Sequence, residues 1–533
     1  NKHRVYDMTL DDRSGENRSS PGPAPRKSAS DRPDSDGPSG GKKRFRKEPE
    51  KQPGAWKRPV FILLGVVLFA IVYMAPAPPD AVDPMGEAFS LSREGKLGIA
   101  LFFLAATWWV TEVVPIGVTS ITIGVVQALF IIRSAEDAFT DFMNPSVWFI
   151  IGSLMIGVVF TKTGLTRRIA YKMLYFVGER TSMIYLGCFV MTSALTLIMA
   201  HTAVAATIYP LLVAVYALYT DETQPTRFGK GLFMGMAFVA GAGSIITLLG
   251  AARGAVAIGF YADLVGRSVG FFELTWYMWP VGLVMTLLLW VYFMIYDPPE
   301  KKTIPGLRDR VSRLNASLGP VSRDEILALL FVFGSIAVLM LRSFIPALAA
   351  VDKAAIILLP TILLFLTKTL SLEDLEGTSW NIVFLFGGAM SIGLCLRQTG
   401  AATWMAVHWL TLFEGAHWLV FVLGMSTLVL LMTNFIMNVA AIAITLPVAL
   451  TMAPYLGVAP EVILFASLVV AGMPFLLLVG AAPNAIAYTS GQFSTKEFFQ
   501  AGIPASILLL VVLAVFVWVI WPAMGMPVLL TSG

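Results

Sequence analysis

Charged residues and cysteines are both scarce in this chain of 533 residues. Only 14% of the residues are charged, against about 25% in an ordinary soluble protein. Hydrophobic residues make up 56%, and the mean hydropathy is +0.74. The two cysteines, Cys188 and Cys395, lie in apolar stretches, which favours buried thiols over a disulfide. These shortages exclude a soluble globular protein and a disulfide-stabilised scaffold.

Catalytic signatures are missing as well. The sequence contains no His-Glu-x-x-His, no Gly-x-Ser-x-Gly, and no phosphate-binding Gly-Lys-Ser or Gly-Lys-Thr. We therefore expect a protein that is not an enzyme. ATP-driven transport and intramembrane hydrolysis are disfavoured for the same reason.

Apolar runs of about 20 residues recur along most of the chain and predict an all-α polytopic membrane protein. We expect about 11 transmembrane helices and two re-entrant hairpins. A first helix with an outside loop occupies residues 59–96. Two halves follow at 97–298 and 324–525, joined by a basic, cytoplasmic linker at 299–323.

The segment before the first apolar run is polar and basic. Residues 1–58 hold 15 of the 38 Lys and Arg residues, together with many Ser, Pro, Gly and Asp residues. This composition predicts a disordered cytoplasmic tail, solvated or in contact with anionic lipid headgroups. The net positive charge is a property of this tail, so we expect no nucleic-acid partner. With the N-terminus in the cytoplasm, the span count places the C-terminus outside.

The two halves carry matching interruptions. The octet that starts at Gly250 resembles the octet that starts at Gly480, and each lies inside an apolar run, at 230–265 and 461–490. Interruptions of an apolar run are costly unless the freed backbone groups serve a purpose, and paired ones mark a transporter's binding site. An odd number of predicted crossings separates the copies, which indicates an inverted repeat.

Two further segments, 183–219 and 418–453, are too long for one crossing and have polar centres. They fit re-entrant hairpins with about ten residues per arm. Two straight spans per segment is the competing interpretation. Two hairpin tips and two broken helices can then meet at the midplane. There, helix N-termini suit an anion and freed carbonyls suit a small cation.

At this point the chain resembles the divalent anion:sodium symporters, which move dicarboxylates, citrate or sulfate. The resemblance spans about residues 59 to 525 and includes Trp108-Trp109-Val-Thr111-Glu112-Val-Val-Pro115 and the break Gly480-Ala-Ala-Pro483-Asn484-Ala485. It implies a homodimer in a bilayer that binds a small anionic substrate and sodium ions. It also implies a transport domain that moves as an elevator. It also implies Ser-Asn-Thr at both hairpin tips, contacting the substrate and two sodium ions.

The chain departs from that pattern at both tips and at one break. The first tip reads Ala200-His201-Thr202 and the second Met437-Asn438-Val439, while Arg253-Gly254 stands where the family has Pro-Asn. At the positions that match the family's site, we expect a substrate site made of His201, Thr202, Arg253, Gly254, Asn438, Val439, Pro483 and Asn484. We also expect one sodium site with Thr433, Asn438 and Ala481, and a weaker one with Thr196 and Gly250. No other cofactor is expected.

An arginine near the midplane costs about 2.5–3.5 kcal/mol or more unless it is solvated or paired. The guanidinium of Arg253 could stand where a sodium ion would sit and bind the anion directly, with His201 adding a titratable charge. Transport would then depend less on sodium. Alternatively, Arg253 pairs internally, for instance with Asp263, or extends along the helix towards the membrane surface.

The resulting prediction is a secondary transporter of small divalent anions, dicarboxylate or sulfate-type, in a bacterial inner membrane. One rival is an uncoupled anion channel or exchanger. The other is a non-transporting membrane sensor that keeps the fold. Concentrative uptake contradicts the first rival, and ligand binding argues against the second.

Overall fold

The computed structural model describes residues 57–76, 78–82, 88–111, 113–220, 225–410, 417–435 and 437–530. The predicted tail up to residue 56 and Glu112 lie outside these residues. The first described half contains α1 (Lys57–Met74), β1 (Ala81–Val82), β2 (Ala88–Phe89), α2 (Arg93–Thr111), α3 (Ile116–Leu129), α4 (Ala135–Thr140), α5 (Pro145–Lys162), α6 (Leu165–Val177), α7 (Thr181–Leu195), α8 (His201–Tyr219), α9 (Arg227–Gly243), α10 (Arg253–Val265), α11 (Phe271–Tyr296) and α12 (Leu307–Ala316). β1 and β2 pair antiparallel.

The second half is also helical. It contains α13 (Arg323–Leu341), α14 (Pro346–Ala349), α15 (Lys353–Leu366), α16 (Leu372–Glu376), α17 (Trp380–Gln398), α18 (Ala401–Leu410), α19 (Trp418–Phe435), α20 (Asn438–Met452), α21 (Pro460–Ala471), α22 (Ala482–Tyr488), α23 (Thr495–Val515) and α24 (Trp521–Ala523). Short 3₁₀ turns cover Asp141–Met143, Ala453–Leu456 and Leu478–Gly480, and a π-helical stretch covers Phe516–Ile520.

The lengths of these helices suit a bilayer. Among the described residues, eight helices are long and apolar enough to cross a membrane, and five more apolar helices have 10–17 residues. Helices satisfy their own backbone hydrogen bonds, so they can be surrounded by lipid. The predicted all-α polytopic membrane fold is confirmed.

Both predicted interruptions separate two helices. The first runs from Ser244 to Ala252 between α9 and α10, and the second from Gly472 to Ala481 between α21 and α22. Pro474 has no backbone N–H to donate to a helix, and Pro483 occupies the first turn of α22, where that loss costs nothing. The local sequence therefore ends one helix and begins the next.

The predicted hairpins correspond to α7 with α8 and to α19 with α20. Their arms have 15, 19, 18 and 15 residues, so the prediction of about ten residues per arm was wrong. That prediction assumed that each arm is only as long as the distance from the membrane surface to the midplane. The additional turns pack on neighbouring helices, with α7 against α9 and α20 against α10.

Helix boundaries correct two further details. α1 begins at Lys57, inside the predicted tail, so the helix extends two residues beyond the apolar run predicted from residue 59. The linker contains α12, an amphipathic helix that packs against α6. Arg168 of α6 forms a buried ion pair with Glu325, at 2.8 Å from Nε to Oε1. The basic linker and the basic start of α6, with Arg167 and Arg168, therefore lie at the same end of the molecule.

Candidate functional site

Four helix N-termini border one cavity of about 520 Å³, which we call the central cavity. Its walls include the first residues of α8, α10, α20 and α22, with His201, Arg253, Asn438 and Ala482. Backbone N–H groups in a first helical turn have no partner within the helix, and the helix dipole adds a partial positive charge there. No Asp or Glu side chain of the described residues lines this cavity. Its electrostatic character therefore suits an anion.

The first hairpin tip is tied to the first break through Gly250. The backbone N–H of His201 donates to the Gly250 carbonyl oxygen at 2.9 Å, and His201 Nδ1 lies 3.3 Å from the same oxygen. In the tautomer in which Nδ1 carries the proton, it donates this second bond, and Nε2 is left for another partner. These two contacts with Gly250 hold the imidazole of His201 at the wall of the central cavity.

Two asparagines hold the second break, Asn434 from the second hairpin and Asn484 from α22. The side-chain oxygen of Asn434 accepts from the backbone N–H groups of Leu476 and Leu477, at 2.7 and 3.2 Å. Asn484 Nδ2 donates to the carbonyl oxygens of Pro474 and Leu477, at 2.8 and 3.2 Å. These amides satisfy the backbone groups that the break frees, which lets the break persist in an apolar environment.

Gly250 and Gly480 hold corresponding positions in the two breaks, and each lies close to the backbone of a hairpin arm. A Cβ added at Gly250 would lie 2.6 Å from the carbonyl oxygen of Thr196. One added at Gly480 would lie 2.9 Å from the carbonyl oxygen of Thr433. In each half the end of the first hairpin arm thus packs directly on the backbone of the break. Only glycine permits that contact without displacement of the backbone.

Arg253 is only 2% exposed and lies between the C-terminal ends of α9 and α21. Its Nη2 donates to Ser244 Oγ at 2.7 Å, and a Cβ added at Gly472 would lie 2.6 Å from Nη2. Nη1 is buried and has no hydrogen-bond partner among the described residues. Asp263 is not the partner of Arg253, because no ion pair or hydrogen bond of the described residues joins the two side chains. The guanidinium occupies a position that helix C-termini make favourable for a cation.

The structure brings together part of the predicted substrate set. The residues of that set that line the central cavity are His201, Thr202, Arg253, Asn438 and Val439. Gly254, Pro483 and Asn484 are not among its lining residues. The reason is visible for Asn484, whose amide is turned back onto the break. Its role there is to support the backbone.

Of the predicted sodium ligands, Ala481 lines the central cavity and Asn438 is 8% exposed at its wall. Thr433 is fully buried behind the cavity, and its hydroxyl donates to the Ala471 carbonyl oxygen at 3.2 Å. Thr196 and Gly250 also lie behind the wall, and the Thr196 hydroxyl donates to the Ser193 carbonyl oxygen. Hydroxyl, amide and carbonyl oxygens are suitable ligands for a small hard cation.

Several polar residues of the cavity were missed by sequence reasoning. Thr378 and Ser379, just before α17, and Thr161 and Lys162, at the end of α5, all line it. Lys162 Nζ also forms an ion pair with Asp374 at 2.5 Å. Their only sequence signal is that they lie beside long apolar runs, Thr161 and Lys162 at the C-terminal end of α5 and Thr378 and Ser379 just before the N-terminal end of α17.

Known proteins are similar to this chain over most of its length. The family model described as the sodium:sulfate symporter transmembrane region matches residues 57–527. The sodium-dependent dicarboxylate transporter SdcS of Staphylococcus saprophyticus is 24% identical over 484 residues, which cover 87% of this chain and 91% of SdcS. SdcS of Staphylococcus aureus strain bovine RF122 is 24% identical over 500 residues, covering 90% and 94%.

A solved structure is similar in fold. MtrF of Neisseria gonorrhoeae, described as illuminating a class of antimetabolite efflux pumps, aligns with a TM-score of 0.57 at 15% identity. The alignment covers 91% of this chain and 98% of the MtrF chain. At this identity the likeness concerns the arrangement of the helices alone.

Proposed function

The chain belongs to the sodium:sulfate symporter family and is a secondary anion transporter of the membrane, and we propose that its substrates are small divalent anions. The observation that supports this proposal most is the central cavity, which four helix N-termini border without any Asp or Glu among the described lining residues. The relatives named as dicarboxylate transporters support the same substrate class.

A dicarboxylate fits the cavity better than sulfate does. Among the polar groups that line the cavity, two clusters belong to the hairpin tips, one with His201 and Thr202 at the first tip and one with Asn438 at the second. A dicarboxylate carries its two charges at opposite ends and can contact both clusters at once. The cavity volume of about 520 Å³ also leaves room for a carbon chain between the two carboxylates.

We propose that Arg253 replaces one exchangeable sodium ion by a fixed charge. The guanidinium lies at the C-terminal ends of α9 and α21, and Nη1 has no partner among the described residues. A tethered cation preserves the attraction for an anion but does not move with the ion gradient. The predicted second sodium site, with Thr433, Asn438 and Ala481, keeps oxygen atoms that can coordinate a sodium ion. We therefore expect weaker sodium dependence rather than its complete loss.

The family resemblance also supports a homodimer that works by an elevator mechanism in a bacterial plasma membrane. The basic segments around Arg168 and Arg310 lie at one end of the molecule, as the positive-inside rule expects for a cytoplasmic face. Labelling of single engineered cysteines with an impermeant maleimide tests this orientation. Chemical cross-linking in the membrane tests the dimer.

The decisive experiment is uptake of radiolabelled succinate and sulfate into proteoliposomes, with sodium or choline as the external cation. We expect concentrative succinate uptake, stimulated by sodium and retained in part in choline. Asn438→Ala removes the amide of the second cluster and should reduce uptake strongly. Asp309→Asn, at an exposed position of α12, is the matched control.

Uptake that only equilibrates the anion would favour the uncoupled channel or exchanger. Binding of succinate without transport of any tested anion would favour the sensor. Strict sodium dependence, together with normal uptake by Arg253→Ala, would contradict the proposed role of Arg253.

A further inference from the structure

A second cavity of about 660 Å³ lies beside the central cavity, and we call it the basic vestibule. It is bordered by α6, α8, α12 and the end of α5. Its charged lining residues are Arg167 of α6 and Arg310 of α12, and Tyr171 and Thr207 add hydroxyl groups. No Asp or Glu of the described residues lines it.

The basic vestibule adjoins the central cavity directly. Thr161 and Ala206 line both spaces. Lys162, the residue after Thr161, lines the central cavity. Basic side chains therefore line both adjoining spaces, Arg167 and Arg310 in the basic vestibule and Lys162 in the central cavity.

The two arginines of the vestibule differ from their neighbour Arg168. Arg168 is buried, and its guanidinium is held by both oxygens of Glu325 and by the Gly319 carbonyl oxygen. Arg167 and Arg310 are exposed, and neither has an ion pair with another described residue. Arg168 thus joins α6 to the start of α13, whereas Arg167 and Arg310 leave their donors available in the vestibule.

We propose that the basic vestibule is a capture site for doubly charged oxyanions, which it passes to the central cavity from the end of the molecule that holds the basic segments. A guanidinium can bind a carboxylate through two parallel hydrogen bonds, so two guanidinium groups suit a dianion. A positively charged cleft also raises the local anion concentration and the rate of encounter. The inference rests on the proposed function, since it concerns the path to the same substrate site.

The test compares Arg167→Gln, Arg310→Gln and the double variant with the wild-type protein. The matched control is Arg313→Gln, which removes the same charge from α12 outside the vestibule lining. Succinate transport is measured in inverted membrane vesicles, which expose the predicted cytoplasmic face, at low and high ionic strength. Right-side-out vesicles give the comparison for the opposite face.

We expect the double variant to raise KM in inverted vesicles roughly 3- to 10-fold at low ionic strength, with Vmax nearly unchanged. The difference should disappear at high ionic strength because salt screens exposed charges. KM in right-side-out vesicles should not change. An unchanged KM in inverted vesicles, or an equal rise with Arg313→Gln, would overturn the proposal.

Phospholipid headgroups carry the same oxyanion chemistry, so the assay is repeated in liposomes of phosphatidylcholine alone and with added phosphatidylglycerol. A KM difference that persists in phosphatidylcholine supports capture of the soluble anion. A difference that appears only with phosphatidylglycerol would assign the site to lipid and overturn the role in capture. Absence of transport by the wild-type protein would instead contradict the proposed function, so the two failures are distinguishable.

Discussion

Arg253 and Ser244 join the two helices that the first break separates. Nη2 of Arg253, at the start of α10, donates to the hydroxyl of Ser244 at the end of α9, at 2.7 Å. The side chain therefore crosses the break and brings a buried positive charge to the C-terminal end of α9. The second half has Pro483 at the equivalent position, which carries no charge.

Replacement of Arg253 should change sodium dependence as well as activity. We expect Arg253→Gln to lower succinate uptake in choline ~10-fold or more, because the fixed charge that attracts the anion is gone. Added sodium should restore part of the uptake if an ion can occupy the freed position. The measurement is the initial uptake rate against sodium concentration in proteoliposomes.

A matched control for Arg253 is Arg267→Gln. Arg267 is an exposed arginine that pairs with Glu273 and Glu461, and it does not line the central cavity. We expect its replacement to leave uptake unchanged in both cation solutions. Equal loss of uptake in the two variants would mean that net charge, rather than position, explains the effect.

Alanine at Gly250 or at Gly480 should destabilise the protein. The added Cβ would meet the carbonyl oxygen of Thr196 or of Thr433, and backbone atoms cannot move away cheaply. We expect each change to cost about 1–3 kcal/mol. Thermal unfolding in detergent measures the loss. Gly334→Ala, where no atom lies within 4 Å of the added Cβ, is the control and should be neutral or slightly stabilising.

Asn438 and Asn484 should respond differently to alanine. Asn438 lines the central cavity, so Asn438→Ala should raise KM for succinate or for sodium with a small change in Tm. Asn484 donates to two carbonyl oxygens of the break, and Asn484→Ala leaves these buried groups unsatisfied. We expect the free energy of unfolding to fall by about 1–3 kcal/mol, with a lower Tm. Equal shifts in KM and Tm for both variants would contradict this division of roles.

The stability of the protein should depend on pH through the carboxyl of Asp297. Burial raises the pKa of its carboxyl from the ordinary 3.8 to about 6, although the nearby Lys230 opposes the shift. The folded protein holds the proton more tightly than the unfolded chain does. The contribution to stability is therefore complete below about pH 3.8 and is lost as the pH rises through 6.

Asp297→Asn removes this titration. We expect the variant to have a free energy of unfolding higher than that of the wild type at pH 8, by on the order of 3 kcal/mol, and therefore a higher Tm. At pH 4 the two Tm values should be similar. Thermal unfolding in detergent across this range measures it. The exposed Asp309→Asn is the control, and a Tm difference for Asp297→Asn that is independent of pH would contradict the explanation.

Much of the architecture was predictable because its determinants are local. Apolar runs separated by Gly- and Pro-containing interruptions indicated the helices, the two hairpins and both breaks. The convergence of His201, Arg253 and Asn438 followed from the correspondence between the two halves. The length of the hairpin arms was not predictable in this way, because it depends on how far each arm packs along its neighbours.

The roles of individual polar residues were harder to predict. Asn484 lies in the break motif that resembles the divalent anion:sodium symporters, which predicted a role in substrate binding. In the structure its amide satisfies carbonyl oxygens of the break. Arg167 and Arg168 are adjacent and chemically identical, but one lines the basic vestibule and the other is buried against Glu325. Adjacent positions on a helix point in directions that differ by about 100°.

The sequence by itself determined that this is a helical membrane protein with two matched breaks and a positive charge at only one of them, because each hydrophobic run and each break consists of residues that are adjacent in the chain. The tertiary structure decided which oxygen, amide and guanidinium groups share a cavity and which support the backbone behind it. That choice depends on contacts between residues far apart in the chain, such as Arg168 with Glu325 and Thr433 with Ala471.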